Sequence, residues 1–222
     1  MKRMRKPMIA RSLVLIAAFA AAAQAFAQPS SRAGAWEMYI GPEFTDGKNY
    51  TFDGGTTAKT DTGVGLNIGF AKNFDRRWAA GIDIVWAEQD YRATVQPGPG
   101  NTNPARQISG QIDWRTIRFF GTFHFLEGNF TPFVTAGLGW TYIDTNIPSG
   151  PPETWCWYWY GCSTFVPTET STEFSYNAGL GLRLDVGKGV FRFLVNSQWV
   201  DYGGSYGGDS VIQYRLDIGT KF

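Results

Sequence analysis

The sequence predicts an all-β chain: an eight-stranded antiparallel up-and-down barrel that crosses a membrane, with short turns at one end and long loops at the other. Three observations carry this. Eight segments alternate apolar and polar residues with period 2, as strands with two unlike faces do. One face is continuously apolar and aromatic, while the other mixes Gly, Ser, Thr, Asn, Gln and charges. The connections between segments alternate short and long.

The chain opens with MKRMRKPMIAR, five basic residues and no acidic one, followed by the apolar SLVLIAAFAAAAQAFA ending in Ala25-Phe26-Ala27. A basic region, an apolar core and an A-x-A site predict a secretory signal peptide over residues 1–27, cut after Ala27. Its removal takes the formal charge from +1 to −4 and leaves no basic face, so nucleic acid is not an expected partner. Residues 28–33 are expected as a periplasmic N-terminal extension, and residues 34–222 as the barrel.

The strands follow in order. Trp36, Met38 and Ile40 alternate with Glu37, Tyr39 and Gly41; Val64 to Phe70 alternate with Gly63 to Gly69; Trp78 to Trp86 alternate with Ala79, Gly81 and Asp83. Ile117, Phe119, Phe123 and Phe125 alternate with Arg118, Thr122 and His124, with Phe120 an apolar exception. Val134 to Tyr142 alternate with Thr and Gly, and Phe174 to Leu184 with Gly179, Gly181, Arg183 and Asp185. Phe191, Phe193, Val195 and Trp199 alternate with Arg192, Asn196 and Gln198; Ile212 to Phe222 alternate with Gln213, Arg215, Asp217 and Lys221. Each segment reaches the ~9–11 residues that a tilted membrane strand needs.

A soluble lipocalin-like binder would also alternate, but with its bulky face inward. Eight strands of Leu, Phe and Trp do not fit inside a small closed barrel, so that face must meet lipid. The outward aromatics then form two girdles. Trp36, Phe70, Trp78, Phe123, Phe191 and Phe222 lie near the short turns; Trp86, Trp140, Tyr142, Phe174, Tyr176, Trp199 and Tyr214 lie near the long connections. Amphipathic rings at two water interfaces produce this pattern. The long connections are 45–60, 92–110, 144–172 and 202–210, expected outside the cell; the short ones are expected in the periplasm.

The last strand, VIQYRLDIGTKF, ends in Phe222 with Tyr214, Leu216 and Ile218 at alternate positions behind it. With these features the chain resembles the small eight-stranded outer-membrane barrels of the OmpA/OmpX-like superfamily, over residues 34–222. The resemblance implies an outer-membrane location and a C-terminal signal that the insertion machinery reads. It implies lipid and lipopolysaccharide as surroundings, and a monomer. It does not specify a function.

Inside the barrel, Glu37, Asp83, Asp185 and Asp217 face Arg118, Arg183, Arg192, Arg215 and Lys221, a near-balanced set expected to pair as a salt-bridge lattice. The other reading of the same residues is a narrow path for small or hydrophobic solutes. Inward glycines leave room for water, for long Arg side chains, or for relief of strain in a tightly curved sheet. Outer-membrane acyl hydrolases and proteases generally need a His near the extracellular rim. The only histidine, His124, falls at the opposite end, so a lipid-modifying enzyme is disfavoured and no catalytic, cofactor-binding or metal-ligating set is expected. YGGSYGGDS lacks the Lys-Ser/Thr ending and following helix of a phosphate loop, and PGPGNTNPA reads as a loop tip.

The third long connection holds WCWYWYGC, with both cysteines and Trp155, Trp157, Tyr158, Trp159 and Tyr160. Two cysteines in an exported chain predict a Cys156–Cys162 disulfide, contributing roughly 2–3 kcal/mol of local rigidity on the chain-entropy model. The rings either pack on the barrel rim or outer-leaflet interface, or form a recognition surface for an extracellular ligand or host surface. The expected role is structural and surface-interacting, without enzymatic activity.

Overall fold

The computed structural model describes residues 32–51, 55–97, 104–159, 161–201 and 208–222. The expected signal peptide lies outside the described residues, as do Tyr160 and most of PGPGNTNPA and YGGSYGGDS. The described chain forms β1 (Trp36–Thr45), β2 (Asn49–Thr51), β3 (Thr57–Thr60), β4 (Gly63–Asn73), β5 (Trp78–Val95), β6 (Arg106–His124), β7 (Phe130–Pro148), β8 (Glu153–Trp157), β9 (Gly161–Phe165), β10 (Thr168–Val186), β11 (Gly189–Asp201) and β12 (Gly208–Lys221). Eight of them, β1, β4, β5, β6, β7, β10, β11 and β12, pair antiparallel in that order, and β12 closes on β1.

The faces follow from the sequence alternation. In β1 every even-numbered residue from Trp36 to Phe44 is exposed and every odd one from Glu37 to Thr45 is buried. Outward rings meet at both girdles. Trp36 stacks on Phe70 at 5.0 Å and Trp78 meets Phe123 at 4.8 Å at the short-turn end. At the other end Tyr176 stacks on Trp199 at 5.4 Å and Trp140 meets Phe174 edge-on. Two outward-facing cations rest on girdle rings: Lys72 lies 4.9 Å from the Trp36 centroid and Arg115 5.7 Å from Tyr142.

The long connections differ from simple loops. The β5–β6 ladder runs on to Val95↔Arg106, and the β7–β10 ladder to Pro148↔Thr168. A small β2–β3 hairpin adds to β5 in the first connection, and β8–β9 forms a separate hairpin in the third. Above the bilayer neither face meets hydrocarbon, so Thr168-Glu-Thr-Ser-Thr172 extends β10 without an apolar alternation to announce it.

The short turns are tied by side chains. Asp75 Oδ1 accepts the backbone N–H groups of Arg77 at 2.6 Å and Trp78 at 2.7 Å. Those two donors hold the Asp75 carboxyl below the usual aspartate range. Because the folded value is depressed, the turn gains from the carboxylate above the pH where an unfolded aspartate titrates. The gain fades as pH falls through the folded value. The Asp75 carboxyl carbon is therefore expected to titrate below an ordinary aspartate in an NMR pH series; titration at or above that value would contradict the capped turn.

The closing seam has one irregularity. Trp36 and Phe222 exchange both backbone hydrogen bonds, and Asp46 N–H bonds the Ile212 carbonyl. Counting inward in steps of two places Pro42 opposite Leu216 at a hydrogen-bonding position. Proline has no N–H to donate there, and the regular ladder skips from Ile40↔Ile218 to Glu43↔Arg215. At adjacent Gly41 the strands come so close that a Cβ would overlap the Leu216 carbonyl, so only glycine fits.

Candidate functional site

Two features of the molecule hold chemistry: the bore and the β8–β9 hairpin. In the bore, the nine charges expected from sequence are all buried, and the structure brings them into two connected layers.

The lower layer lies at the short-turn end. Glu37 on β1 takes both terminal nitrogens of Arg183 on β10, at 3.1 and 2.7 Å. Asn73 also donates to Glu37, and Arg192 on β11 lies 3.8 Å away. Asp185 receives Arg183 Nε at 3.1 Å and Lys221 Nζ at 3.5 Å. Arg183 and Arg192 are direct cross-strand partners. Like charges so placed repel; the Glu37 carboxylate between them removes the conflict.

The upper layer centres on Asp83. Its two oxygens each take an arginine at 2.8 Å, Arg118 from β6 and Arg215 from β12. Arg118 reaches on to Glu43 on β1 at 2.9 Å and Gln213 on β12 at 3.0 Å. Arg215 also meets Asp217 and Asn67, and Asn67 donates to Asp217. Arg192 joins the layers through Asp217 at 3.6 Å. Since β6 and β10 each stand three places from β1 in the ring, Arg118 and Arg183 cross the bore. An eight-stranded barrel is only wide enough for side chains to fill it, and these do.

Aromatic rings occupy the space beside the glycines. Tyr39 is buried between the layers, with the Arg192 guanidinium 4.3 Å from its ring centroid. A Cβ on Gly69 or Gly219 would strike Tyr39, on Gly181 Phe133, and on Gly81 Phe120. The glycines are expected to leave room for water, long Arg side chains or strain relief; at Gly69, Gly81 and Gly181 an aromatic ring takes that room instead. Above the charges, Thr116, Thr141, Ser175, Gln198, Gln213 and Asn196 form an uncharged hydrogen-bonded chain across five strands.

Two members escaped the sequence reading. Glu43 follows Pro42, which interrupts the apolar run of β1; the signal was Phe44, which keeps the period and turns Glu43 inward. Arg32 falls in the expected N-terminal extension, yet its side chain is fully buried. It donates to the backbone carbonyls of Arg76, Leu126 and Gly128 and pairs with Asp185 at 3.3 Å. The extension is thus tied into the mouth of the barrel at Arg32. No local signal marks this, because these four partners lie between 44 and 153 residues away.

His124 is buried at the same end, its Nδ1 3.1 Å from the Arg77 carbonyl and its ring 5.9 Å from Phe133. Among the described residues no group of three His, Cys, Asp or Glu is placed to hold a metal.

The hairpin is built differently. Cys156 and Cys162 lie directly opposite in the β8–β9 register and are joined by a disulfide. Gly161 supplies the left-handed backbone, φ +80°, that brings the chain back. Thr154 and Thr164 hydrogen-bond across the cysteine face. Trp155 and Trp157 share the other face, opposite Ser163 and Gly161, with their rings edge to face at 5.9 Å. Tyr158 and Trp159 pair the same way at the tip. Trp155, Trp157, Tyr158 and Trp159 are 64, 61, 92 and 84 % exposed. Every residue of β8 is exposed, on both faces, so the rings do not pack on the barrel rim. Tyr214, Leu216 and Ile218 also face outward on β12, as does Phe222 directly after it.

A closed antiparallel ring, apolar outside and ion-paired within, defines a transmembrane β-barrel. The chain belongs to the outer membrane protein beta-barrel domain family, whose sequence profile matches residues 12–219; its location is the outer membrane. No curated protein matches it in sequence. Among solved structures it is similar to the outer membrane protein OprG of Pseudomonas aeruginosa: 16 % identity, 86 % of this chain and 97 % of that one covered, TM-score 0.51. It is also similar to Ail, the attachment invasion locus protein of Yersinia pestis, in complex with the heparin analogue sucrose octasulfate. There the identity is 15 %, coverage 86 and 99 %, and TM-score 0.46. These likenesses concern the fold.

Proposed function

We propose that the protein is a surface-presenting barrel: a side-chain-filled scaffold that holds an aromatic hairpin outside the cell for adhesion-like contact with a ligand or host surface. One observation carries this reading. Four large rings stand more than half exposed on a disulfide-closed hairpin that the other described residues leave uncovered. Rigid Trp and Tyr side chains lose little entropy on binding and are typical anchors. The crossing arginines of the bore favour this role over solute passage.

On the same reading residues 1–27 are removed on export, and the insertion machinery reads the Tyr214, Leu216, Ile218 and Phe222 pattern. The barrel works as a non-enzymatic monomer among lipid and lipopolysaccharide, with no cofactor and no nucleic acid.

The test is deletion of residues 148–168 in cells that display the protein. Attachment to host cells or coated surfaces is expected to be lost, while the heat-modifiable gel mobility of the folded barrel persists. Undiminished attachment would remove the hairpin as the binding element.

A further inference from the structure

We infer that the partner of the β8–β9 hairpin is a second lipid bilayer, apposed to the one that holds the barrel, into whose interface the tip inserts. This deepens the surface-presenting reading and rests on it.

Three observations select lipid. First, residues 154–168 carry no charge, although Glu153 and Glu169 flank them directly. A polyanion partner would be met by cations; an uncharged surface matches the zwitterionic headgroup region. Second, the tip repeats the composition of the barrel's own girdles, Trp and Tyr paired ring to ring. Those residues settle where water gives way to hydrocarbon. Third, both ring pairs are edge to face, at 73° and 85°, so neither pair merges into one broad flat platform for a sugar chain.

The geometry selects the apposed bilayer over the barrel's own. The near leaflet ends at the Trp140 and Tyr142 girdle. The β7–β10 ladder continues past it to Pro148↔Thr168, which lifts the base of the hairpin by roughly 15 Å at ordinary strand rise and tilt. There Ser149 N–H bonds the Pro167 carbonyl at 2.8 Å, and β8 and β9 pair only with each other. The disulfide holds the two arms of the hairpin together, so ring insertion does not require the loop to be ordered first.

The experiment uses the full barrel in lipid nanodiscs mixed with phosphatidylcholine vesicles that contain brominated lipid. Nanodiscs are expected to float with the vesicles, with tryptophan fluorescence quenched by the vesicle bromine, and both effects should be unchanged in 0.5 M salt, a concentration that leaves a Debye length of only about 4 Å. The W155S/W157S/Y158S/W159S variant should bind at least tenfold more weakly with unaltered gel mobility, and C156S/C162S several-fold more weakly. No flotation, flotation indifferent to the ring substitutions, or loss in high salt overturns the inference. So does quenching of the hairpin only when the bromine is placed in the nanodisc, which would put the tip in its own leaflet. If deletion of 148–168 abolishes cell attachment while vesicles never bind, the partner is not lipid and the surface-presenting reading stands. If cell attachment survives that deletion, the surface-presenting reading itself fails.

Discussion

Replacing Glu37 by Gln is expected to destabilise the folded barrel by about 3–5 kcal/mol, the range for removing one partner of a buried ion pair. The carboxylate is buried, bonded to both terminal nitrogens of Arg183 and within 3.8 Å of Arg192. Without it, two arginines that are direct cross-strand partners face each other across a neutral amide. The measurement is urea unfolding of the barrel refolded in vesicles, followed by heat-modifiable mobility. Adding Arg183→Met should return part of the loss, because it removes one of the opposed cations. A cost near that of an exposed pair, below about 1 kcal/mol, would show that the arginines do not depend on Glu37.

Clearing the crossing pairs is expected to change conductance. The wild-type barrel should give no discrete steps in a planar bilayer, since Arg118 and Arg183 reach across the bore to Glu43 and Glu37. The E43A/R118A and E37A/R183A double variants each remove one positive and one negative charge, leaving the net lumen charge unchanged. Combined, they remove the two arginines that reach across the bore to β1, one in each layer, and leave the Arg215–Asp83 pair in place. Discrete steps should appear in the combined variant while its gel mobility still marks a folded barrel. Steps in the wild type would favour the solute-path reading. Silence in a folded combined variant would show that Tyr39, Phe120 and Phe133, with the remaining Arg215–Asp83 pair, close the bore without Arg118 and Arg183.

Much of the fold was legible because lipid enforces a period. Met38, Ile40, Leu66 and Phe193 must face hydrocarbon, so Glu37, Gly65 and Arg192 between them had to face inward. That constraint ends at the girdles. Beyond them β5, β6, β7 and β10 continue as strands on Thr, Gln, Ser and Glu, whose order no longer records which face is which. The charged lattice was legible for the same reason as the faces, and Glu43 was lost only where Pro42 broke the pattern. Tyr39 and Phe133 were harder to read. Their place beside glycines on neighbouring strands depends on cross-strand register, which alternation along one strand does not contain. The hairpin's disulfide followed from cysteine count and compartment, but its distance from the rim came from ladders no sequence pattern announced.

The proline gap in the closing seam bears on the order in which the barrel assembles. Most neighbours in the ring are also neighbours along the chain, so their ladders zip from a nearby turn. β1 and β12 are the exception, being the two ends of the chain, and joining them carries the greatest loop-closure cost. This ladder also lacks a donor at Pro42. The seam should therefore be the last to zip and the first to part. In a refolding series followed by amide exchange, protection at Leu216 and Ile218 is expected to arrive after protection within the β10–β11 ladder. The molecule thus carries, in one residue near the middle of its first strand, a marker of where the cylinder was once a sheet.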